Sequence, residues 1–283
     1  MGTILVTGAS GFIGSALCAS LSQEHEVIAM SRSRVEIPKV AWVRGSFWSF
    51  EDLRQLDGRE IDVVVHLAAV LGGAPEHECM MINAEGSRCM MRFLIDNGCK
   101  KFVTASSIAA VGFQNVKFRP DQLPIPDEHP CYDRDGYGFG KYMMEEVTKY
   151  HQRQNQDIDV INLRLSSVIP EDGGKLKPLG VRSLKQWALG SLTVMLLPDA
   201  VRAFSLAALS AYRPGMRILN TTAKRAWATA PTADILANWW GDDVDLSYYR
   251  ESGNERHNAY MVARIKEELG FTADRTVEFL ENL

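Results

Sequence analysis

Short apolar runs alternate with helix-like segments over the first 170 residues of the chain. The apolar runs lie at 4–6, 27–30, 41–43, 62–67, 101–105 and 159–164, and the helical patterns at about 11–23, 50–56, 80–97 and 137–154. The runs are short, β-branched and apolar throughout, as expected of strands whose sheet is covered by helices on both faces. This alternation predicts an α/β fold with a Rossmann-type, doubly wound parallel sheet.

The regular alternation fades after Pro170, where glycine and proline break the pattern into shorter pieces. We therefore expect a dinucleotide-binding Rossmann domain over residues 1–170 and a smaller, mixed substrate-binding region over residues 171–283. The second region is expected to interleave with the first rather than to fold independently. A last helix is predicted over residues 259–269, with Gly270 as its cap.

A glycine-rich segment links the first predicted strand to the first predicted helix. Residues 7–14 read Thr-Gly-Ala-Ser-Gly-Phe-Ile-Gly, and this spacing allows a tight turn, a close approach to pyrophosphate and close helix–strand packing. The N-terminus of the helix would offer free N–H groups and a positive dipole end to the anion. We predict a dinucleotide site here; a tight turn without a ligand is the alternative. The predicted contacts are Gly8, Ser10, Gly11, Phe12 and Ile13.

The end of the second strand bears on the choice of cofactor. An acidic residue there favours NAD through the ribose hydroxyls, whereas a basic residue favours the 2′-phosphate of NADP. Residues 30–34 read Met-Ser-Arg-Ser-Arg, and the first carboxylate after them is Glu36. The sequence therefore favours NADP, bound by Ser31 and Arg32. NAD stays possible, because Arg32 could be a solvated charge or could stack on adenine.

Tyr137 and Lys141 stand four residues apart at the start of a predicted helix, so both side chains share one face. An ammonium beside a phenol favours the phenolate and makes the tyrosine a usable proton donor or acceptor. Ser107 follows a predicted strand at the sheet edge where doubly wound folds bind ligands. Alone, each feature is common on helix surfaces and in turns. Together they predict a catalytic Ser–Tyr–Lys set.

The composition of the chain argues against several classes of function. The 283 residues include 31 Lys and Arg against 35 Asp and Glu, giving a net charge of −4 without a basic run. This balance argues against nucleic acid or an anionic membrane surface as partners. We find no apolar window long enough for a membrane-spanning helix, and glycines interrupt the region where a signal peptide would be apolar. Five cysteines without a CxxC pair predict reduced thiols, no metal site and a cytoplasmic location.

These motifs resemble those of the extended short-chain dehydrogenase/reductase family, which includes nucleotide-sugar epimerases, dehydratases and ketoreductases. The similar segments lie at residues 7–14, 62–69, 83–87, 106–112, 137–141 and 164–170. The resemblance implies that Ser107, Tyr137 and Lys141 are catalytic. It implies cofactor contacts at Leu67, Ala68, Ala69, Asn83, Tyr137, Lys141 and Leu165, and substrate contacts at Ser107, Ile108, Ser167 and Arg202. It also implies a homodimer, with Met90, Met91, Met143 and Met144 on its helices.

Departures from the family pattern narrow the expected chemistry. Ile108 and Ala109 stand where sugar 4,6-dehydratases carry Asp-Glu, so dehydration is not expected. Ser46 replaces a usual aspartate, and Ser166-Ser167 replaces a Phe-Asn pair that meets the substrate diphosphate. The leading interpretation is an NAD(P)-dependent nucleotide-sugar ketoreductase or epimerase. The alternatives are a dehydrogenase of a free sugar or sugar acid, and a non-catalytic NADP-binding redox sensor.

Overall fold

A seven-stranded sheet lies at the centre of the fold in the computed structural model, which describes residues 2–112, 117–181, 190 and 192–275. Its strands are β1 (Thr3–Thr7), β2 (Glu26–Ser31), β3 (Val40–Arg44), β4 (Val63–His66), β5 (Lys101–Ser107), β6 (Asp159–Leu165) and β9 (Gly215–Thr221). Their order is β3-β2-β1-β4-β5-β6-β9, with β1 parallel to both neighbours. This order confirms the predicted Rossmann-type, doubly wound sheet. Two short parallel strands, β7 (Ser167–Ile169) and β8 (Val194–Leu196), pair separately.

The helices follow the predicted alternation in the first half of the chain. They are α1 (Phe12–Leu21), α2 (Phe50–Leu53), α3 (Glu76–Glu78), α4 (Gly86–Asp96), α5 (Gly136–Gln154), α6 (Leu197–Leu209), α7 (Thr232–Trp240) and α8 (Ala263–Leu269). A π-helical stretch, Cys79–Glu85, joins α3 to α4, so the helix predicted at 80–97 is present but changes its winding. Within the described residues, no helix combines the length and the apolar character needed to cross a bilayer.

The chain divides into two compact units that alternate along the sequence. The first unit comprises Met1–Ser106, Asp135–Leu163 and Val201–Arg217; the second comprises Ser107–Arg134, Arg164–Ala200 and Ile218–Leu283. The predicted boundary between residues 170 and 171 therefore falls inside the second unit. The sequence pattern could not show this, because each unit is assembled from segments far apart along the chain.

The core of the first unit forms between the sheet and its helices. Leu5, Val64 and Phe102 of the central strands are fully buried and pack in one cluster with Met90 and Met91 of α4. Met144 of α5 is buried as well. The expectation that Met90, Met91 and Met144 would supply a dimer contact was therefore wrong, since this chain already buries them.

The core of the second unit includes Ile125 and Tyr260. The Ile125 N–H donates to the Ala259 carbonyl at 2.8 Å, and the Met261 N–H donates to the Ile125 carbonyl at 2.9 Å. Tyr260 thus forms a parallel bridge with Ile125, and the last helix begins at Ala263 rather than at the predicted residue 259. Pairing with a segment more than 130 positions away overrides the local helical pattern.

Candidate active site

The glycine-rich segment makes a tight connection between β1 and α1. Gly8 has a left-handed φ of +71°, and its N–H donates to the Met30 carbonyl at 3.1 Å. A Cβ on Gly8 would lie 2.7 Å from the Ala68 backbone nitrogen, and a Cβ on Gly14 would overlap the Gly8 carbonyl oxygen. Both positions thus require glycine, for backbone shape at Gly8 and for helix–strand contact at Gly14.

The first turn of α1 is open to an anion. Gly11 precedes the helix in an extended conformation, and no described side chain caps this end. The first N–H groups of α1 therefore lack the side-chain acceptor that a capping serine or aspartate would supply. Ser10 and Phe12 are exposed beside them. Together with the glycine turn, this geometry fits the pyrophosphate of a dinucleotide.

The end of β2 differs from the sequence expectation in detail. The Ser31 hydroxyl donates to the Ser33 carbonyl at 2.6 Å and accepts from the Trp42 indole N–H at 3.2 Å. Ser31 is buried, so its hydroxyl shapes the loop, whereas Arg32 is exposed. Of the two residues predicted to select the cofactor, Arg32 is the one whose side chain is accessible.

The family usually has an aspartate at the turn after β3, where this chain has Ser46. A carboxylate nevertheless lies at this turn. The Ser46 N–H donates to Asp52 Oδ2 at 2.8 Å. Asp52 belongs to the first turn after the cap of α2, six residues further along the chain. Sequence reasoning missed it, because it looked for an acid at position 46 itself.

Asn83 holds the loop that follows β4. Its carboxamide oxygen accepts from the Val70 N–H at 2.8 Å, and its nitrogen donates to the Val70 carbonyl at 3.0 Å. Asn83 is buried, and the half-buried residues 67–69 precede the loop it grips. Because the Ala68 backbone lies against Gly8, Asn83 supports the glycine turn through this loop.

His66, at the end of β4, is a buried structural histidine that sequence reasoning missed. The Ser87 hydroxyl donates to the Asn83 carbonyl at 2.6 Å, so it accepts from His66 Nε2 at 3.1 Å. Nδ1 then accepts from the Thr7 hydroxyl at 2.7 Å. Burial, with the positive charge of Lys141, lowers the pKa of His66 to about 3. The neutral imidazole therefore ties β1, β4 and α4 together beneath the loop.

The structure brings Tyr137 and Lys141 together at the start of α5. Asp135 caps this helix by accepting from the Gly138 N–H at 2.9 Å. The Lys141 ammonium lies 5.9 Å from the centroid of the Tyr137 ring and donates to the Ala105 carbonyl of β5 at 2.7 Å. Lys141 is only 3% exposed, whereas Tyr137 is half-buried. The ammonium is thus fixed, and the phenol ring stands beside it.

Burial makes the Lys141 ammonium easier to deprotonate. Desolvation lowers its pKa from 10.5 to about 8, and the nearby Glu145 carboxylate opposes part of this shift. Glu145 is fully buried and accepts from the Ser106 hydroxyl at 2.5 Å. It stands one helical turn after Lys141, and that spacing is the only sequence signal for it. Glu145 therefore stabilises the charged form of Lys141.

Gly140 lets α5 approach the π-helical stretch closely. A Cβ at this position would lie 2.8 Å from the carbonyl oxygen of Cys79. Any larger residue next to Lys141 would push the helix away. The sequence offered no reason to expect this contact, because it depends on how two distant helices meet.

The second unit carries Ser107 and its neighbours. Ser107 is 6% exposed, and its hydroxyl accepts from the Ala109 N–H at 3.1 Å, which caps the 3₁₀ turn Ile108–Val111. Ile108 is buried in the core of this unit, and its carbonyl accepts from the Tyr260 hydroxyl at 3.4 Å. The Ser107 side chain is thus held by its own turn.

The remaining predicted contacts are dispersed. Leu165 is buried at the end of β6, and the exposed Ser167 donates to the Gly190 carbonyl at 3.2 Å. Arg202 is half-buried on α6 in the first unit. Among the described residues, no group of three His, Cys, Asp or Glu side chains could hold a metal ion.

Comparison with known proteins gives a consistent family signal. The family model for the NAD dependent epimerase/dehydratase family matches residues 4–204. The chain is similar to the UDP-glucose 4-epimerase of Drosophila melanogaster, with 28% identity over 189 residues, 57% of this chain and 52% of the relative. The chain spans only 52–61% of the length of the first curated relatives it matches.

Two solved structures share the fold over nearly the whole chain. MoeE5 in complex with UDP-glucuronic acid and NAD has a TM-score of 0.71 at 24% identity, covering 97% of this chain and 95% of MoeE5. The UDP-glucose 4-epimerase from Bifidobacterium longum in complex with NAD⁺ and UDP has a TM-score of 0.71 at 17% identity, covering 97% and 94%. The family model covers more than two thirds of the sequence and confirms the resemblance drawn from the motifs. The chain belongs to the NAD dependent epimerase/dehydratase family.

Proposed function

We propose that this chain catalyses reversible hydride transfer at a carbinol or keto carbon of a sugar-like substrate, as an epimerase or a ketoreductase. A nucleotide sugar is the leading substrate class, and a free sugar or sugar acid is the second. The observation that carries the proposal is the pairing of the Tyr137 phenol with a buried Lys141 ammonium anchored on Ala105. A phenol beside a fixed cation is suited to exchanging a proton with a substrate hydroxyl.

The cofactor is proposed to be NAD. Its nicotinamide ring supplies the hydride acceptor and donor that protein side chains lack. The open first turn of α1 and the glycine turn at Gly8 would bind the pyrophosphate. The expected preference for NADP has no support from MoeE5 or the Bifidobacterium longum epimerase, both of which were solved with the non-phosphorylated cofactor. The Ser31 hydroxyl is also already engaged within its loop.

Each catalytic side chain is proposed to have a distinct role. Tyr137 transfers the proton to and from the substrate oxygen, and Lys141 favours its phenolate form. The Ser107 hydroxyl donates a hydrogen bond to the same oxygen. Ile108 and Ala109 are both buried and apolar. They leave no acid/base pair in this stretch for eliminating water, so 4,6-dehydration is not part of the proposed activity.

Replacing Tyr137 by Phe tests the proton-transfer role. We expect turnover to fall at least ~100-fold because the general acid/base is removed. The affinity for NAD should stay within about twofold, since the glycine turn is untouched. Turnover and NAD titration should be measured together with Tyr150→Phe, which removes an exposed hydroxyl near the other end of the same helix. Unchanged turnover in Tyr137→Phe would refute the assignment.

A panel of UDP-sugars, free sugars and sugar acids, each tested with NAD and NADP, identifies the reaction. Net change in reduced-cofactor absorbance indicates a dehydrogenase or reductase, whereas product formation without net change indicates an epimerase. Tight cofactor binding without turnover of any substrate would favour the redox-sensor alternative instead.

A further inference from the structure

A cationic cavity lies in the second unit, between the segment that follows β9 and the segment that precedes α8. Its volume is about 340 Å³, and it is lined by Lys224, Arg225, Arg256 and His257. The Ala226 N–H donates to the Arg256 carbonyl at 2.8 Å, and the Asn258 N–H donates to the Lys224 carbonyl at 2.7 Å. An antiparallel bridge between Arg225 and His257 completes the pairing. The backbone therefore holds the lining residues in fixed positions.

The cavity concentrates positive charge in an acidic chain. The whole sequence has a net charge of −4, yet three cations and a histidine line this one cavity. Among the described residues, Lys224, Arg225 and Arg256 form no ion pair with any carboxylate. Glu255, the adjacent acid, instead accepts from the Gly253 N–H at 2.9 Å. Like charges that form no ion pair repel each other, and a bound anion would relieve this repulsion.

One donor in the lining is left without an acceptor. Arg225 Nε is buried, and no described atom accepts a hydrogen bond from it. A buried, unsatisfied guanidinium nitrogen costs free energy unless a ligand or water completes it. Burial and the neighbouring Arg256 also lower the pKa of Arg225, the direction expected of cations that lack a counter-charge.

His257 can act as a donor in its neutral form. Its Nδ1 lies 2.8 Å from the Tyr248 hydroxyl. When this hydroxyl donates to Nδ1, the imidazole proton stays on Nε2, which becomes an N–H donor. Burial and Lys224 lower the pKa of His257, although Glu255 opposes part of this shift, and the net effect favours the neutral imidazole.

We propose that this cavity is a binding site for a phosphate group, with Arg225 and Arg256 as the principal donors. Planar guanidinium groups match the oxygen atoms of phosphate in pairs, and Lys224 adds a point charge. The cavity volume exceeds that of one phosphate and admits a phosphate ester. The site belongs to the second unit alone and does not depend on the proposed hydride transfer.

Calorimetric titration with inorganic pyrophosphate tests the site. NAD is kept saturating so that the glycine turn is already filled. We expect wild-type protein to bind pyrophosphate, and Arg225→Gln/Arg256→Gln to bind it at least ~10-fold more weakly. Lys266→Gln removes one positive charge of the second unit outside the lining and should bind like wild type. Equal affinity in wild type and the double variant would overturn the proposal.

If the double variant does not fold, Lys224→Gln replaces it in the titration, and circular dichroism checks that this variant is folded. It should weaken pyrophosphate binding by a smaller factor, and unchanged affinity there would also overturn the proposal. If NAD does not bind, pyrophosphate could also bind at the open glycine turn. The variants change only the cavity, so a difference in affinity between them and wild type still reports binding in the cavity. A raised KM for a UDP-sugar in Lys224→Gln would show that the phosphate bound in the cavity belongs to the substrate. An unchanged KM with weakened pyrophosphate binding would identify a separate phosphorylated ligand.

Discussion

The role proposed for Lys141 and the stability of the fold place opposite demands on its side chain. Lys141 is 3% exposed, and burial lowers the pKa of its ammonium to about 8. The charged form that the proposed chemistry uses is therefore the form that the folded chain disfavours. Glu145 and the Ala105 carbonyl reduce this penalty without removing it. Functional sites commonly combine burial with a specific charge partner in this way.

The pH dependence of stability follows from this shift. Between pH 8 and pH 10.5 the folded chain has released the Lys141 proton while the unfolded chain still binds it. Raising the pH through this window therefore stabilises the folded state, by about 3 kcal/mol for this group. Lys141→Met removes the effect. The free energy of unfolding of both proteins should be measured by urea unfolding at several pH values between 8 and 10.5. The value for wild type minus the value for the variant should rise by about 3 kcal/mol across this range. A constant difference would contradict this account.

At the scale of elements, the connection from β1 to α1 is tightly constrained. Gly14 faces the Gly8 carbonyl with no room for a side chain. The sequence predicted the strand, the turn and the helix correctly here, because apolar run, glycine spacing and helical pattern all agree within 20 residues. Local consistency of this kind is what a sequence pattern records.

Gly14→Ala should disrupt this connection. The added methyl group would overlap backbone rather than a movable side chain, so we expect a loss of about 1–3 kcal/mol in unfolding free energy. NAD affinity should fall as well, since the turn and the first helical N–H groups would shift together. Thermal unfolding and NAD titration measure both effects. Gly180→Ala is a matched control, since its new methyl group would meet its nearest neighbour, Thr229 Oγ1, only at 4.0 Å. Equal losses in the two variants would argue against a specific constraint at Gly14.

Other elements depend on contacts that no local pattern contains. The helix predicted from residue 259 does not form over its first turn because Ile125 pairs with this segment. Asp52 lies at the turn of Ser46 because α2 folds back on β3. Lys224 and Arg225 line a cavity with Arg256 and His257, which lie about 30 residues further along the chain, and no sequence motif predicts this cluster. These features require the tertiary structure, whereas Tyr137 and Lys141 could be placed from helical spacing alone.

At the scale of the whole molecule, the alternation of the two units makes the chain hard to divide. Asp159 of β6 is fully buried and pairs with Arg217 of β9 within the first unit. The Arg213 N–H also donates to Asp159 at 3.0 Å. A first unit cut off before residue 201 would leave this carboxylate buried without Arg217 and without the Arg213 N–H.

A fragment of residues 1–170 should therefore fail to fold cooperatively. Removing one partner of a buried ion pair costs about 3–5 kcal/mol, a large share of typical domain stability. Circular dichroism during heating should show a broad, weak transition for the fragment and a sharp one for the full chain. A sharp transition in the fragment would show that the N-terminal region folds independently.

The homodimer stays a prediction, now with a different surface. Met143 and Val147 are half-buried and Tyr150 is 43% exposed, and their spacing places them on one face of α5. If this face associates with a second copy, Val147→Glu should convert dimers to monomers, because a buried carboxylate would lack a partner. Light scattering after size exclusion measures the mass. A dimeric variant, or a monomeric wild type, would contradict the prediction.

The π-helical stretch allows one helical segment to make two contacts that point in different directions around its axis. A residue added to an α-helix turns everything beyond it by about 100°, and such single-turn irregularities arise where one residue is surplus. Upstream, the Cys79 carbonyl lies against Gly140 beside Lys141. Downstream, the Asn83 carboxamide forms hydrogen bonds with the Val70 backbone. Deleting the exposed Met81 would regularise the winding but rotate these two contacts out of phase. The added residue thus sets the angular offset that lets one helical segment contact both α5 and the loop at Val70.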